Sequence, residues 1–451
     1  MNTLKKDLTL SQVIAMAAGG MIAAWMVEMI YWFELSGSGS FWALLVTGLF
    51  IIPLGLIYSE MSSMLPFAGG ENIWISNAFS WDIGWYFNWM LFLLYIFAIP
   101  NVAYGLVTMA NYFYPMSFFQ IKAISLIILL IWFGASFVKV KLIGRAQNLM
   151  FWLMVALTAF VSVSFILSEQ WSYSTLTPWF PEGISGFGAA VGILIFKYIG
   201  FDMIPQLAEE ANFPRKSHWK AYLGAALLTF FVYGMAIISN AGIVSLEWIA
   251  KTDIIDPRVA DLIGRHDLAI IIVVVGILGT VTTLSGFWLA AARTLFGASK
   301  QRQLPKAFAK LNKSGQPKYS NILVAVFAIY FAVFAPEAWI QYMYTVYAFV
   351  AGVVYLFVTM SFLIIRKRHP DWERPFKVKG AMFIGVLSMI FCGWILVATF
   401  SEITIASLGV VGGYFLVGIA LHLYARRMRI EKPDEWQPYV LTPKDIDKDM
   451  E

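Results

Sequence analysis

The sequence predicts an all-α integral membrane protein with twelve transmembrane helices, and three observations support this fold class. Of the 451 residues, 60% are hydrophobic and only 13% are charged, whereas about 25% of the residues in soluble domains are charged. The mean hydropathy is +0.72. Apolar runs of about 20 residues, the length of a helix that crosses a bilayer, recur between short charged segments. Helices rather than barrel strands are therefore expected to cross the membrane.

Each predicted span is an apolar run bounded by charged residues, proline or glycine. In chain order the twelve spans are expected at 11–35, 40–65, 83–111, 119–138, 147–168, 187–209, 221–245, 267–297, 320–336, 339–365, 381–400 and 404–425. The N-terminus lacks the pattern of a cleavable signal peptide, so the first helix is expected to act as its own anchor.

The predicted organisation groups these spans into repeats and tails. A tail at 1–10 precedes five helices at 11–168, a second set of five at 187–365, two further helices at 381–425 and a polar, proline-interrupted tail at 426–451. The composition of that last segment predicts a loosely ordered end.

Lysine and arginine are concentrated in alternate connections. The even-numbered connections contain basic clusters at 139–145, 215–220, 300–318 and 366–379, and the odd-numbered ones contain few basic residues. The positive-inside rule then predicts both termini in the cytoplasm of a cell membrane, which is the inner membrane in a Gram-negative bacterium. The same rule explains the net charge of +5 without a nucleic-acid partner, so the lipid bilayer is the expected surrounding.

Several functional classes find no support in the sequence. The single cysteine, Cys392, lies inside an apolar run, so no intramolecular disulfide is expected. None of the four histidines has metal-ligand spacing, and no phosphate-binding loop is present. The sequence therefore predicts neither an enzyme nor an ATP-driven pump, and no metal or other cofactor.

Two predicted spans contain residues that interrupt a helix. The first carries AAGGMIAA at 17–24, and the sixth carries Gly200 and Pro205. A break at membrane depth frees backbone polar groups, which is tolerated where protein or a water-filled cavity satisfies them. Breaks in the first and sixth spans indicate two inverted five-helix repeats with a substrate site where the breaks meet. The alternative is that both are kinked packing helices with small residues at their contacts.

Four motifs in order resemble the amino acid, polyamine and organocation (APC) transporter superfamily. They are YSEMSSMLPFAGG at 58–70, FKYIGFDMIPQLAEEANFPRK at 196–216, LAAARTLFGASKQRQLPKAFAK at 289–310 and RPFKVKG at 374–380. The resemblance extends from about residue 8 to residue 429. It implies the LeuT-type fold, with two inverted repeats of five helices plus two C-terminal helices.

The resemblance also implies a function. It implies a secondary active transporter that moves an amino acid or a closely related amine by alternating access, as a proton- or sodium-coupled symporter or as an exchanger. Two alternatives remain open: a carrier of a decarboxylated amine or polyamine, and a membrane receptor or scaffold that does not transport.

The resemblance places a substrate site at the two breaks. The expected substrate-binding residues are Ala23, Ala24, Trp25, Glu28, Asn101, Phe196, Lys197, Tyr198, Gly200 and Phe201. The superfamily usually has a Gly-Ser-Gly element at the first break, where this sequence has Ala23, Ala24 and Trp25. Trp25 is expected either to fill space that would otherwise be open to a substrate carboxylate, or to pack outward between helices or face lipid. Phe196 matches an aromatic residue that closes over the substrate.

Two ionisable residues are predicted inside the broken spans. Charged groups within a span usually face the protein interior and have a function. Glu28 is expected to lie beside a substrate amine or to carry a proton. Lys197 is expected either to pair with Glu28, in a salt bridge that the substrate breaks, or to bind the substrate carboxylate directly. A structural role for each residue is the alternative.

Several residues are candidates for coupling transport to an ion. In sodium-coupled relatives, hydroxyls of the eighth helix bind the ion with carbonyls of the first, which points to Thr282 and Thr283. The alternative is that both hydroxyls only form ordinary hydrogen bonds between helices. Several proton-coupled relatives have a lysine on the fifth helix, where this sequence has Met154. Glu28 or Lys197 would replace that lysine, or the protein would exchange substrates without an ion. Gate or fold-organising roles are expected for Glu60 and Asp202.

Overall fold

The computed structural model describes residues 4–23, 25–252, 254–334, 339–400, 403 and 405–446. In chain order the α-helices are α1 (Leu10–Met21), α2 (Trp25–Ser36), α3 (Ser40–Met64), α4 (Gly70–Ala78), α5 (Trp81–Ala110), α6 (Phe118–Ala135), α7 (Val140–Ile166), α8 (Gly183–Ile193), α9 (Met203–Gln206), α10 (His218–Ala241), α11 (Leu246–Ile249), α12 (Ile255–Leu262), α13 (His266–Lys300), α14 (Lys318–Phe334), α15 (Trp339–Arg368), α16 (Ala381–Phe400), α17 (Ile405–Glu431) and α18 (Pro433–Trp436). Short 3₁₀ turns and loops connect them.

Within the described residues, eight helical segments are long and apolar enough to cross a membrane. They are Glu28–Met64, Trp81–Ala110, Phe118–Ala135, Val140–Ile166, Arg215–Ala241, His266–Lys300, Val346–Arg368 and Ala381–Phe400. Three shorter apolar helices lie at Leu10–Met21, Gly183–Lys197 and Lys318–Phe334. The prediction of a helical membrane protein is confirmed at this level.

Both predicted helix breaks are present. In the first span α1 ends at Met21, Ile22 adopts an extended conformation, and α2 begins at Trp25. In the sixth span α8 passes into a 3₁₀ turn at Leu194–Lys197, and α9 begins only at Met203. The glycine and proline residues that signalled the breaks weaken a helix, because glycine adds backbone freedom and proline removes a hydrogen-bond donor.

The core of the bundle is built around α13. This helix packs against α5, α7 and α1, while α10 packs against α3 and α1. The C-terminal half of α13, from Thr282 to Lys300, is buried on all sides, so its apolar residues are not confined to one stripe. The pieces α1 and α9 of the two broken helices also contact each other, next to α13.

The C-terminal tail packs against the bundle, so the prediction of a loosely ordered end is wrong for residues 432–446. Trp436 and Leu441 are buried. The Asn77 side-chain amide donates to the Leu441 carbonyl at 2.9 Å, and Arg302 donates to the Gln437 carbonyl at 3.1 Å. Apolar side chains spaced within a polar segment anchor it, and composition alone did not reveal their partners.

The first and the last described segments of the chain lie on the same face of the bundle. Lys6 near the N-terminus and Ile446 near the C-terminus line one cleft of about 540 Å³ on that face. The Leu4 and Ala68 backbone N–H groups both donate to the Glu209 carboxylate, at 3.0 and 3.1 Å. This face is called the termini face below.

Candidate functional site

The two helix breaks meet in the middle of the bundle. Gly200 has φ +133°, and a Cβ added there would lie 3.0 Å from the Met21 backbone nitrogen. Only glycine combines this backbone conformation with so close an approach. The predicted meeting of the two breaks is therefore observed, and Gly200 allows it.

A small cavity of about 50 Å³ lies at this meeting point. Five of the ten predicted substrate-binding residues line it, namely Ala23, Glu28, Asn101, Phe196 and Lys197, together with Thr283 from the predicted ion-coupling set. Phe287 and Tyr347 also line it and were not predicted. Ala24, another predicted residue, lies outside the described residues.

The charged residues of the two broken helices form an ion pair beside this cavity. Lys197, at the end of the 3₁₀ turn, contacts the Glu28 carboxylate on α2. The side chains of Lys197 and Glu28 are only 6% and 9% exposed. The predicted pairing is thus observed, and it joins the first broken span to the sixth.

Aromatic rings surround the Lys197 ammonium. Its Nζ lies 5.1 Å from the centre of the Trp32 ring and 5.2 Å from that of Tyr233. These two rings pack edge to face, with centres 5.5 Å apart. Ring faces attract a cation through their quadrupole. Neither ring was predicted, because an aromatic residue in an apolar span is usually a packing residue.

The freed backbone groups of the first break have side-chain partners. The Tyr233 hydroxyl donates to the Met21 carbonyl at 2.6 Å and accepts from the Ala23 N–H at 3.1 Å. The Thr283 hydroxyl lies within hydrogen-bond distance of the Gly19 and Ile22 carbonyls of the first span and of the Gly279 carbonyl on its own helix. Tyr233 and Thr283 thus supply side-chain partners for some of the backbone groups that the helix break frees.

Three predicted substrate-binding residues lie beside the cavity lining rather than in it. The Tyr198 hydroxyl donates to the Leu44 carbonyl at 3.0 Å, which turns the ring towards α3. Phe201 packs edge to face on Tyr58. Trp25 is buried and packs on Tyr233, one of the two rings around the Lys197 ammonium.

Trp25 also reaches the short helix α12 between α10 and α13. Its indole N–H donates to Asp256 at 3.4 Å, and Asn240 donates to the same carboxylate oxygen at 3.0 Å. Burial raises the pKa of Asp256 to about 6, although both hydrogen bonds oppose the shift. Asp256 was missed because a single aspartate in a polar connection usually faces water.

The remaining predicted ion-coupling residue, Thr282, has local partners. Its hydroxyl donates to the Gly279 carbonyl at 2.7 Å, and its own carbonyl accepts from Gln147 at 2.8 Å. Met154, at the position where some relatives have lysine, is fully buried near Gly279. Among the described residues, no group of three or more histidine, cysteine or acidic residues is arranged to hold a metal ion.

The sequence motifs are joined by buried ion pairs on the side of the termini face. Arg293 of the third motif donates to the Glu210 carboxylate of the second through Nε at 2.8 Å and Nη2 at 2.9 Å. Glu60 of the first motif lies 3.2 Å from Arg374 of the last. Glu60 therefore has the fold-organising contacts that were predicted for it. Asp202 accepts from the Gly200 N–H at 2.8 Å and so supports the second break.

Comparison with known proteins identifies the family. The profile of the amino acid permease family matches residues 8–421. The chain belongs to this family. It is a multi-pass membrane transporter rather than an enzyme, as the sequence motifs indicated.

Relatives of the permease have different substrates. It is 25% identical over 419 residues to a branched-chain amino acid permease of Lactococcus lactis, covering 88% of this chain and 89% of the relative. It is 25% identical to a gamma-aminobutyric acid permease of Bacillus subtilis, covering 98% of both chains. It is 23% identical to a methylthioribose transporter of Bacillus subtilis, covering 78% of each. Family membership therefore leaves the substrate open.

Proposed function

We propose that this permease is a secondary active transporter of an amino acid and that the substrate binds in the cavity between the two helix breaks. The observation that carries the proposal is the buried pair of Glu28 and Lys197 at that cavity. An amino acid presents one carboxylate and one ammonium group. It therefore supplies an opposite charge to each member of the pair.

The proposed binding step exchanges one ion pair for two. The substrate ammonium contacts Glu28, and its carboxylate contacts Lys197. Because the pair and the zwitterion are each neutral, no net charge enters the low-dielectric site, and this avoids the large cost of burying an unpaired charge. A decarboxylated amine or polyamine would place a second cation next to Lys197, which makes it the less favoured substrate class.

The proposed transport cycle is alternating access in a LeuT-type arrangement of twelve helices, with five plus five in inverted repeats and two more at the C-terminus. The two broken helices at the cavity support this arrangement. The basic connections support a cytoplasmic location for both termini and hence for the termini face. In this orientation the buried ion pairs between the motifs lie between the substrate cavity and the cytoplasm.

Coupling to an ion is part of the proposal, with two candidate ions. Sodium would bind near the hydroxyls of Thr282 and Thr283 and the carbonyls of the first span. A proton would be carried by Glu28 or Lys197. Transport as a symporter or as an exchanger is compatible with either set of residues.

Uptake into proteoliposomes tests the proposal. Purified protein is assayed with radiolabelled leucine, gamma-aminobutyric acid and putrescine, in the presence and absence of proton and sodium gradients. We expect uptake or exchange of a zwitterion and a strong loss in Lys197→Ala. Lys251→Ala is the matched control, because Lys251 forms an exposed pair with Glu247. Uptake of putrescine alone would establish the amine alternative, and no uptake or exchange of any compound would favour a receptor or scaffold.

A further inference from the structure

The surroundings of the Lys197 ammonium have the composition of a binding site for an ammonium group. Glu28 supplies a carboxylate, and Trp32 and Tyr233 supply ring faces at 5.1 and 5.2 Å. All three residues are buried. A charge-assisted hydrogen bond and cation–π contacts are the usual means by which proteins hold ammonium ligands.

This ammonium subsite opens onto the substrate cavity. Glu28 and Lys197 both line the cavity, so the carboxylate that holds the Lys197 ammonium is accessible from it. The ammonium of a lysine side chain and the amino group of a substrate are the same chemical group. A substrate amine in the cavity and the Lys197 side chain therefore compete for one carboxylate.

We propose that Glu28, Trp32 and Tyr233 form a subsite for a primary ammonium group and that Lys197 fills this subsite as a tethered occupant when no substrate is bound. This inference rests on the proposed transport of an amino acid and assigns a role to Lys197 in the part of the cycle without substrate. Because Lys197 is attached to the same chain, its effective concentration at the subsite is high.

The tethered ammonium has a consequence for the transport cycle. Without it, closing the empty site would bury the Glu28 carboxylate without the Lys197 ammonium, and breaking a buried ion pair in this way is strongly unfavourable. With Lys197 in the subsite, the empty carrier closes and returns to bind again, so net uptake proceeds. Exchange of one substrate for another does not need this step, because each substrate brings its own ammonium group.

The direct test compares net uptake with exchange in Lys197→Met, which keeps an unbranched side chain and loses the ammonium. Net uptake is measured into empty proteoliposomes, and exchange into vesicles preloaded with the same unlabelled amino acid. At saturating substrate we expect net uptake and exchange both to fall, because Lys197 also contacts the substrate carboxylate, and we expect net uptake to fall by about tenfold more than exchange. Lys197→Arg keeps the cation and should retain net uptake.

Two results would overturn the inference. One is an equal loss of net uptake and exchange in Lys197→Met; the other is no loss of either. Lys251→Met, at an exposed lysine, serves as the control for the loss of a lysine elsewhere in the chain.

Chemical rescue tests the subsite independently of transport. In Lys197→Ala the removed atoms correspond to propylammonium, so this compound should refill the subsite and raise the thermal unfolding midpoint of the purified variant by about 3 °C or more at saturation. Tetramethylammonium, which has the same charge and no N–H group, should not. The double variant Glu28→Gln/Lys197→Ala should show no rescue.

The two experiments separate the failure of the subsite from the failure of the proposed function. Equal effects of propylammonium on Lys197→Ala and the double variant would refute the ammonium subsite, whatever the transport result. If the wild type transports no amino acid while propylammonium selectively stabilises Lys197→Ala, the subsite stands and the substrate assignment fails.

Discussion

Breaking the pair of Glu28 and Lys197 is expected to destabilise the protein more than removing both charges together. The two side chains are 9% and 6% exposed, so Glu28→Gln leaves a buried lysine without its carboxylate, and Lys197→Met leaves a buried carboxylate without its cation. Removing one partner of a buried pair typically costs about 3–5 kcal/mol. That cost changes the unfolding equilibrium by roughly two to four orders of magnitude.

The double variant Glu28→Gln/Lys197→Met carries neither charge. Each single variant leaves one unpaired charge buried, which is strongly destabilising, so we expect the double variant, which buries no charge at this site, to be more stable than either single variant. The coupling energy of the cycle is then about 2 kcal/mol or more. An exposed pair gives the contrast: Lys251 and Glu247, with side chains 72% and 82% exposed, should couple by about 0.5 kcal/mol or less.

The assay is unfolding in mixed micelles with increasing denaturing detergent, followed through the fluorescence of the 18 tryptophans. All variants of both cycles are measured at one pH and one salt concentration. Additive losses in the Glu28 and Lys197 cycle, or coupling no larger than that of the exposed pair, would refute the argument. Such a result would mean that the two charges are solvated separately in the folded protein.

Three further predictions follow from other contacts. The pKa of Asp256 is about 6 in the folded protein against an ordinary value of 3.8, so its contribution to stability, up to about 3 kcal/mol, is complete below about pH 4 and is lost by about pH 6 or above. The thermal unfolding midpoint should therefore decline less between pH 4 and 8 in Asp256→Asn than in the wild type. An unchanged decline of the midpoint would contradict this. Gly200→Ala should lower the unfolding midpoint and abolish transport because its Cβ would lie 3.0 Å from the Met21 nitrogen, whereas Gly393→Ala, with open space around it, should have little effect on either. Deleting residues 432–451 should lower the midpoint because this removes the buried Trp436 from its contacts; an unchanged midpoint would show that the tail contributes no stability.

The sequence contains the signals for the fold because the bilayer restricts the choices. Long apolar runs predict helices, and the glycine and proline residues near Met21 and Gly200 predict the breaks. Two opposite charges in otherwise apolar spans predict a contact, because a buried charge is costly unless an opposite charge lies beside it. Rules about local composition and buried charge were therefore enough to find the breaks and the pair of Glu28 and Lys197.

The remaining parts of the site depend on contacts between distant residues that have no local signal. Tyr233 lies in an apolar run and looks like a packing residue, yet its hydroxyl bonds to the first break more than 200 positions away in sequence. Trp436 and Leu441 are in a polar tail, where composition predicts disorder, and only the buried surfaces that they contact reveal their role. For Tyr233 and for the tail, tertiary contacts rather than local composition determine the observed structure.

The contacts of Tyr233 also explain why the substrate carboxylate is assigned to Lys197. A helix break offers a carboxylate its free N–H groups, but here the Ala23 N–H donates to the Tyr233 hydroxyl at 3.1 Å. The same hydroxyl donates to the Met21 carbonyl, so this tyrosine takes up one donor and one acceptor of the first break. Lys197, on the second break and lining the cavity, supplies a cation for the carboxylate. In the proposed function, the substrate carboxylate therefore binds at Lys197 in the sixth span rather than at the first break, where this sequence has Ala23, Ala24 and Trp25.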